Sequence, residues 1–441
     1  MKLQLKESNQ LEFKEKLPSH KQVLKTVVGF ANLHGGRIMV GVRDDGEVMG
    51  LDKDPQDLIE LLSQLIYDSC SPTLMPRFYV ENYGTKSVLV LEVSAGSNKP
   101  YRLKAVDQGI YIRVGNTTLK ATQDIIEELQ LQTLGKSYDE MPCYAAKETH
   151  LNKQEILEIL KQKRIPNAKS IPQNLFKSMR LLHEDHGKLY PTNGAVLLFC
   201  KDMQDVFSES NTICSVFSGS KGRDILETRD FNGSLFTQLE SCYEFILQHI
   251  SQKISIKSLK QNVEYRIPPV AIREALINAY VHRNYHIPSP IKIAVYEDRL
   301  EIFSPGEFIG PLDPEKIELG VSYIRNKVLA RWFRENGLME KLGSGLTTIF
   351  DEYEEAGLMK PTINEVSRNV KIILPMTKTI GSSDEEAIVQ TIRKNGPLGI
   401  TEIHESLPHL SRATVGRKLK LLVNEGSILT RGNARGVKYY I

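Results

Sequence analysis

Apolar residues alternate in short runs from residue 11 to about residue 132. A strand over 11–13 precedes a helix over 23–33, and Gly35-Gly36 then leads into an apolar run over 37–42 that closes on Asp44-Asp45-Gly46. An Asp-Gly pair at the end of a strand predicts a tight turn, because glycine accepts the positive φ such turns need. A second helix over 58–67, strands over 78–83 and 87–93, and another over 109–114 complete a predicted α+β unit. The polar stretch 135–147 reads as its edge.

The middle third, about 151–375, opens with helical patterns. It passes an apolar run over 194–199 that reads as a strand, then holds a long helix over 269–282 followed by strands over 291–296 and 300–303. One large α+β unit or two small ones fit this pattern. Residues 376–383 lack an apolar period and read as a linker. Beyond them a helix from Asp384 to 394 stops at Asn395-Gly396-Pro397, a second starts at Thr401, and a third, capped by Ser411, runs to about 424. Strands over 427–430 and 436–441 flank Arg431-Gly432-Asn433-Ala434-Arg435. The cadence predicts a winged helix-turn-helix over 384–441. The remaining segments are an N-terminal domain over 1–135, an α+β connecting region over 148–265 and a further domain over 266–375, so the fold class is α+β multidomain. No internal repeat is visible.

A chain of 441 residues, 41% hydrophobic, exceeds what one core serves. With 57 basic against 54 acidic residues the formal charge is only +3, which excludes a global field drawing the molecule onto DNA or an anionic membrane. Basic surface must be local. Between residues 411 and 441 the basic residues are Arg412, Arg417, Lys418, Lys420, Arg431, Arg435 and Lys438, against the single acid Glu425. Recognition helices set their N-terminal side chains against base edges while nearby cations hold phosphates. Arg412, Thr414 and Arg417 are therefore the candidate base readers, and Lys418, Lys420, Arg431 and Arg435 the candidate backbone contacts. The alternative is a solvated helix used for protein contacts. Five scattered cysteines without a CxxC suit a reducing compartment and argue against a disulfide framework or zinc site. The first residues are charged throughout and no window approaches 18 uninterrupted apolar residues, so the expectation is a cytoplasmic protein with no membrane partner.

The order Glu7-Ser8, Leu11-Glu12-Phe13-Lys14, Phe30-Ala31-Asn32, Gly35-Gly36 and Gly41-Val42-Arg43-Asp44-Asp45-Gly46 resembles the Schlafen AlbA-like domain. In the Schlafen nucleases of animals, two glutamates five apart and an aspartate after the glycine-valine strand form a metal-dependent RNA-cleaving site. The resemblance carries those roles to Glu7, Glu12 and Asp44, whose hard oxygens would hold Mg²⁺ or Mn²⁺. Lys14, on the same strand face as Glu12, would contact phosphate. Glu7 and Glu12 are an odd number apart, so they converge only if Glu7 lies before the strand. Under the structural alternative these acids pair with Lys14, Arg37 or Arg43. Gly35 and Gly36 match neither phosphate-loop spacing and read as a helix stop and tight turn.

Further on, Arg273-Glu274-Ala275-Leu276-Ile277-Asn278-Ala279, His282-Arg283-Asn284-Tyr285, Ser304-Pro305-Gly306, Arg325-Asn326 and Glu340-Lys341-Leu342-Gly343-Ser344-Gly345 resemble the divergent GHKL ATPase-like domain, an α/β sandwich found in RecG-like regulators. The resemblance implies an ATP site. Glu274 and Asn278, four apart on one helix face, would orient water and hold a metal, while Gly343 and Gly345 would let backbone approach a phosphate. The adenine-reading aspartate of a DxGxG box is missing, with Ser304-Pro305-Gly306 in its place. Otherwise Glu274 and Asn278 form a buried polar pair and the His282–Tyr285 segment caps a helix. Trp332 reads as core, and His183 with His186 lacks a third ligand.

All three segments together resemble microbial transcriptional regulators. That implies a DNA-binding, nucleotide-responsive regulator, homo-oligomeric because operators usually mirror a dimer. Two alternatives stand beside it: a metal-dependent nuclease acting on RNA, tRNA or foreign nucleic acid, and a non-catalytic oligomeric scaffold.

Overall fold

Two faces of one small sheet explain the N-terminal pattern. In the computed structural model, which describes residues 2–104, 109–257, 260–308, 324–339, 345–377, 384–408, 410–424, 427–432 and 437–441, the chain runs β1 (Leu11–Lys14), α1 (His20–Asn32), β2 (Gly36–Val40), α2 (Pro55–Ser69), β3 (Cys70–Ser71), β4 (Arg77–Tyr83), β5 (Lys86–Val93), β6 (Arg102–Leu103), β7 (Tyr111–Val114), β8 (Thr117–Lys120) and α3 (Gln123–Thr133). The sheet order is β1-β2-β5-β4, with β1 and β2 parallel and α1 as their crossover. Ile38, Val40, Leu89 and Leu91 pack beneath the helices, while Phe13, Met39, Val88 and Val90 fill the opposite face. Burial on both sides is why 37–42 and 87–93 read as continuous apolar runs. Gly35 and Gly36 act as expected. The Gly35 amide donates to Phe30 O at 2.8 Å and closes α1, and a Cβ on Gly36 would meet the Phe30 ring at 2.5 Å. The Asp-Gly turn also forms, with Gly46 at φ +86°.

The middle unit comprises α4 (Lys153–Lys163), α5 (Gln173–Ser178), β9 (Leu182–Asp185), β10 (Lys188–Pro191), α6 (Asn193–Phe199), β11 (Thr212–Ser218), β12 (Asp224–Phe231), α7 (Leu235–Ile250), β13 (Ser251–Lys257), β14 (Lys260–Tyr265), α8 (Pro269–His282), β15 (Ile291–Val295), β16 (Arg299–Pro305), α9 (Lys327–Glu335), α10 (Gly345–Glu355), β17 (Thr362–Val366) and β18 (Asn369–Pro375). The expected strand over 194–199 is the helix α6. Thr192 caps it by accepting from the Ala195 amide at 3.2 Å, and its residues are buried on every side. An apolar run this short carries no period that distinguishes strand from helix. The six-stranded sheet has the order β12-β11-β15-β16-β18-β17, and β11 pairs in parallel with β15. One continuous apolar core extends from Cys143 to Leu374. The line expected between residues 265 and 266 therefore runs through one sheet and one core, and Trp332 lies within that core.

The polar stretch 135–147, expected as the edge of the N-terminal unit, is buried in part. Ser137, Asp139 and Glu140 are buried, and the Asp139 carboxylate accepts from the Leu329 amide at 2.8 Å and from the Ser137 hydroxyl at 2.6 Å. It thereby serves the otherwise unpaired amides at the start of α9 and fastens the exit of the N-terminal unit to the middle unit.

The last unit holds α11 (Asp384–Asn395), α12 (Ile400–Ser406), α13 (Arg412–Asn424), β19 (Leu429–Arg431) and β20 (Lys438–Tyr440). Ile388, Ile392, Ile403, Val415, Leu419 and Leu422 form its core. β19 and β20 make an antiparallel hairpin, and Leu398 pairs with Tyr439 alongside it. The linker residues 378–383 and the hairpin tip 433–436 lie outside the described residues. Among the described residues no helix is long and apolar enough to cross a membrane.

Burial, reinforced by the charge of Glu140, raises the Asp139 carboxyl to about 6 despite its hydrogen bonds. The folded state thus holds this proton more tightly than the unfolded chain, so the group favours folding below about pH 4, and that contribution is lost as pH rises through about 6. Asp139→Asn should flatten the pH dependence of the unfolding free energy across this window, by up to about 3 kcal/mol. Denaturant melts from pH 4 to 7 measure it, and an unchanged slope would assign the dependence to another group.

Candidate functional site

Glu7, Glu12 and Lys14 meet, but not around a place for a metal. The register opposite Ile38 puts Glu12 on the α1 face of the sheet, where it is 6% exposed. Its carboxylate lies 2.8 Å from Lys14 Nζ and 2.7 Å from Arg113 Nη1, the latter an ion pair off the hydrogen-bond line. Glu7 lies before the strand, as convergence required, and its Oε1 accepts from the Phe13 amide at 2.9 Å. β1 is an edge strand, so this carboxylate satisfies an amide that no neighbouring strand reaches. Glu7 Oε1 is also 3.9 Å from Lys14 Nζ. Asp44, by contrast, is exposed on the turn after β2.

The expectation that Glu7, Glu12 and Asp44 gather around one ion is therefore not met. Among the described residues no group of three histidine, cysteine, aspartate or glutamate side chains is arranged to hold a metal, and Lys14 and Arg113 already neutralise Glu12. Of the expected partners Lys14 is present, whereas Arg37 and Arg43 pair with Glu92, Glu15 and Glu47. Arg113 escaped the sequence reading. Its side chain is buried under Phe30 and donates to Thr118 Oγ1 at 3.1 Å and Ser8 O at 3.0 Å. The signal was a lone arginine inside the apolar strand Tyr111–Val114, since a buried charge requires an opposite one.

In the middle unit α8 carries Glu274 and Asn278 on one face, and the start of α10 lies across them. A Cβ on Gly345 would meet Glu274 Oε2 at 3.1 Å and Asn278 Nδ2 at 3.2 Å. The structure thus brings Glu274, Asn278 and Gly345 together, while Gly343 lies outside the described residues. Among the described residues Asn278 Nδ2, which is buried, has no hydrogen-bond partner. An orphaned amide beside a glycine cradle fits a polar ligand such as a nucleotide phosphate. At the other end of the helix, Asn326 Nδ2 donates to Val281 O and Arg283 O, and Arg325 Nη1 to His282 O. These side chains satisfy the last carbonyls of α8. The strand that lacks the DxGxG aspartate ends with Ser304 Oγ donating to Ala279 O at 2.8 Å.

In the last unit Val415, Leu419 and Leu422 face the core, leaving Arg412, Arg417 and Lys420 exposed and Thr414 and Lys418 half-buried. α13 contains no acidic residue. Arg412 Nη2 donates to Thr401 Oγ1 at 3.2 Å, and the Ser411 hydroxyl caps the Thr414 amide. Arg431 is exposed on β19, and Arg435 lies outside the described residues.

Residues 7–122 match the family model described as Schlafen, AlbA_2, and residues 289–374 match that of the putative ATP-dependent DNA helicase recG C-terminal region. The chain carries a Schlafen AlbA_2 domain and a RecG-like ATPase-like domain. No curated protein matches it. Among solved structures it is similar to the DIP2311 protein of Corynebacterium diphtheriae, 17% identical with a TM-score of 0.45 over 98% of this chain and 95% of that one. It is also similar to the N-terminal domain of a putative ATP-dependent DNA helicase RecG-related protein of Nitrosomonas europaea, 27% identical with a TM-score of 0.21 over 27% of this chain and 86% of that one. The two domain matches point to a function involving nucleic acid, and the RecG-like match to nucleotide binding.

Removing one partner of a buried pair strands the other charge, so Glu12→Gln should destabilise the protein by about 3–5 kcal/mol. Asp44→Ala, at an exposed turn, should stay within about 0.5 kcal/mol. Urea titrations of both variants test this. A Glu12→Gln protein as stable as the parent would mean that Glu12 is free for another role.

Proposed function

We propose that the protein is a cytoplasmic DNA-binding transcriptional regulator whose C-terminal unit is a winged helix-turn-helix. The observation that carries this reading is the exposed face of α13, where Arg412, Arg417 and Lys420 stand with no acid on the same helix. The cations beside Glu12 in the N-terminal unit, by contrast, are met by its carboxylate. A duplex offers the missing counter-charge, and α13 is the helix that a helix-turn-helix lays in the major groove. Arg412 and Arg417 would read base edges. The Thr414 hydroxyl is already engaged with Ser411, so its part would be smaller. Lys418, Lys420 and Arg431 would hold phosphates, with Arg435 beside them on sequence grounds. Operator symmetry would make the working form a homo-oligomer.

The RecG-like domain would take ATP at Glu274, Asn278 and Gly345, with Gly343 included on sequence grounds. A bound ATP with its Mg²⁺ would supply phosphate charge and a divalent centre. Asn278 would present its free amide group to that charge, Glu274 would position a water, and Gly345 would keep the approach open. The alternatives of a Mg²⁺- or Mn²⁺-dependent nuclease acting on RNA or tRNA, and of an inert scaffold, draw support from no observation at Glu7, Glu12, Lys14 and Asp44.

The doubly substituted Arg412→Ala, Arg417→Ala protein should bind a mixed-sequence DNA duplex at least about tenfold more weakly than the parent, since each contact is worth about 1–3 kcal/mol. Fluorescence anisotropy at constant salt measures this, and equal affinities would remove α13 as the reader.

A further inference from the structure

The acids of α3 fasten the Schlafen domain to the RecG-like domain, and the join encloses a cavity. Glu128 Oε1 lies 2.9 Å from Arg325 Nε, Glu127 Oε2 lies 3.3 Å from His286 Nδ1, and Asp124 pairs with Arg368. Between these contacts and the end of β7 is a space of about 470 Å³ lined by both domains, within the range of small-ligand sites. Glu274, Asn278 and Gly345 are not among its walls.

The charges around it are unbalanced toward the C-terminal end of α3. Lys99 O accepts from Thr133 Oγ1 at 2.8 Å, and Lys327 Nζ donates to Gly135 O. Lys99, Lys136 and Lys327 all line the cavity, and the Lys99 ammonium donates to Leu33 O at 3.0 Å. Among the described residues none of the three has a carboxylate within ion-pair distance, although Lys99 is half-buried. Burial lowers the Lys99 ammonium, with Glu128 only partly opposing it. Burial and the charge of Lys99 together push His34 down to about 4. Both directions report a partly desolvated place, and that of His34 also the nearby charge of Lys99, a setting in which an anion is held more strongly than in open water.

The other walls suit a flat, polar-edged body. Tyr138 and His286 pack ring to ring at 4.0 Å, and among the described residues the buried His286 Nε2 has no hydrogen-bond partner. Glu128, Asn284 and Glu365 add carboxylate and amide oxygens to the same walls. A cationic end joined to an aromatic wall with acceptors matches a phosphate joined to a nucleobase.

We propose that this interdomain cavity is a binding site for a nucleoside monophosphate, its phosphate held by Lys99, Lys136 and Lys327 and its base beside Tyr138 and His286. The site is separate from the ATP site proposed at Glu274 and Asn278. Arg113, the partner of Glu12, and Arg325 both line it, so an occupant touches the Schlafen and RecG-like domains at once.

Calorimetric titration of the full chain with AMP tests the site, with inorganic phosphate as a second probe. AMP should bind saturably below about millimolar concentration, and Lys136→Ala and Lys327→Ala, both exposed positions that leave the core untouched, should each weaken it about tenfold. Asn278→Ala should leave AMP affinity unchanged. Phosphate that binds as tightly as AMP would overturn the nucleoside assignment. Three results would overturn the site itself: no saturable AMP binding to the parent protein, binding indifferent to both lysines, and binding lost only in Asn278→Ala. In those cases the lysines are caps for helix ends, or the nucleotide occupies the RecG-like site.

Discussion

The pairing of Glu128 with Arg325 holds the Schlafen and RecG-like domains in register. Both side chains are largely buried, 16% and 8% exposed, so neither can lose its partner without leaving a charge in a poorly solvated place. The neighbouring Asp124–Arg368 contact is weaker in effect, because Arg368 is 43% exposed and water screens it. Arg368 nevertheless sits with Ser367 in a two-residue hairpin turn where both take positive φ without being glycine. From that turn its guanidinium meets Asp124 of α3. With Asp139 fixing the entry to α9 from the same side, the two domains meet at several points, and the space left between them is walled by both.

Much of the charge of the molecule is cancelled within it. Glu12, the residue most suggestive of metal chemistry, is spent between Lys14 and Arg113, and the positive charges around it are spent with it. Arginines of the middle unit do the same with Glu335, Glu301 and Glu307. A net charge of +3 over 441 residues hides this cancellation. Cations without a carboxylate partner among the described residues include Arg412, Arg417 and Lys420 on α13, Arg431 on β19, and Lys99, Lys136 and Lys327 around the cavity at the end of α3. On the proposed readings the C-terminal cations would meet a polyanion and the cavity lysines a small anion, a difference of surface against enclosure.

Elements whose evidence is local were legible in the sequence. The helix over 269–282 follows from an apolar period bracketed by Pro269 and Arg283, and the three C-terminal helices follow from their caps and breakers. The Asp-Gly turn and the roles of Gly35 and Gly36 belong to the same class. Errors arose where the deciding contact is distant. The run over 194–199, buried all round, carries no period that tells helix from strand, and the partner of Asp139 is an amide of α9, nearly two hundred residues away. At the sites the same division holds. Glu274 and Asn278 share a face by spacing alone, but their closeness to Gly345, the capture of Glu12 by Arg113 and the partners of α3 depend on chain segments that no short window relates.

The salt dependence of duplex binding by the full chain tests the account at its centre. If the exposed cations of α13 and β19 neutralise DNA phosphates, the logarithm of the association constant should fall with the logarithm of salt concentration at a slope of about −3 to −5, near 0.9 for each phosphate contacted. A slope close to zero, or no duplex binding even at low salt, would contradict it.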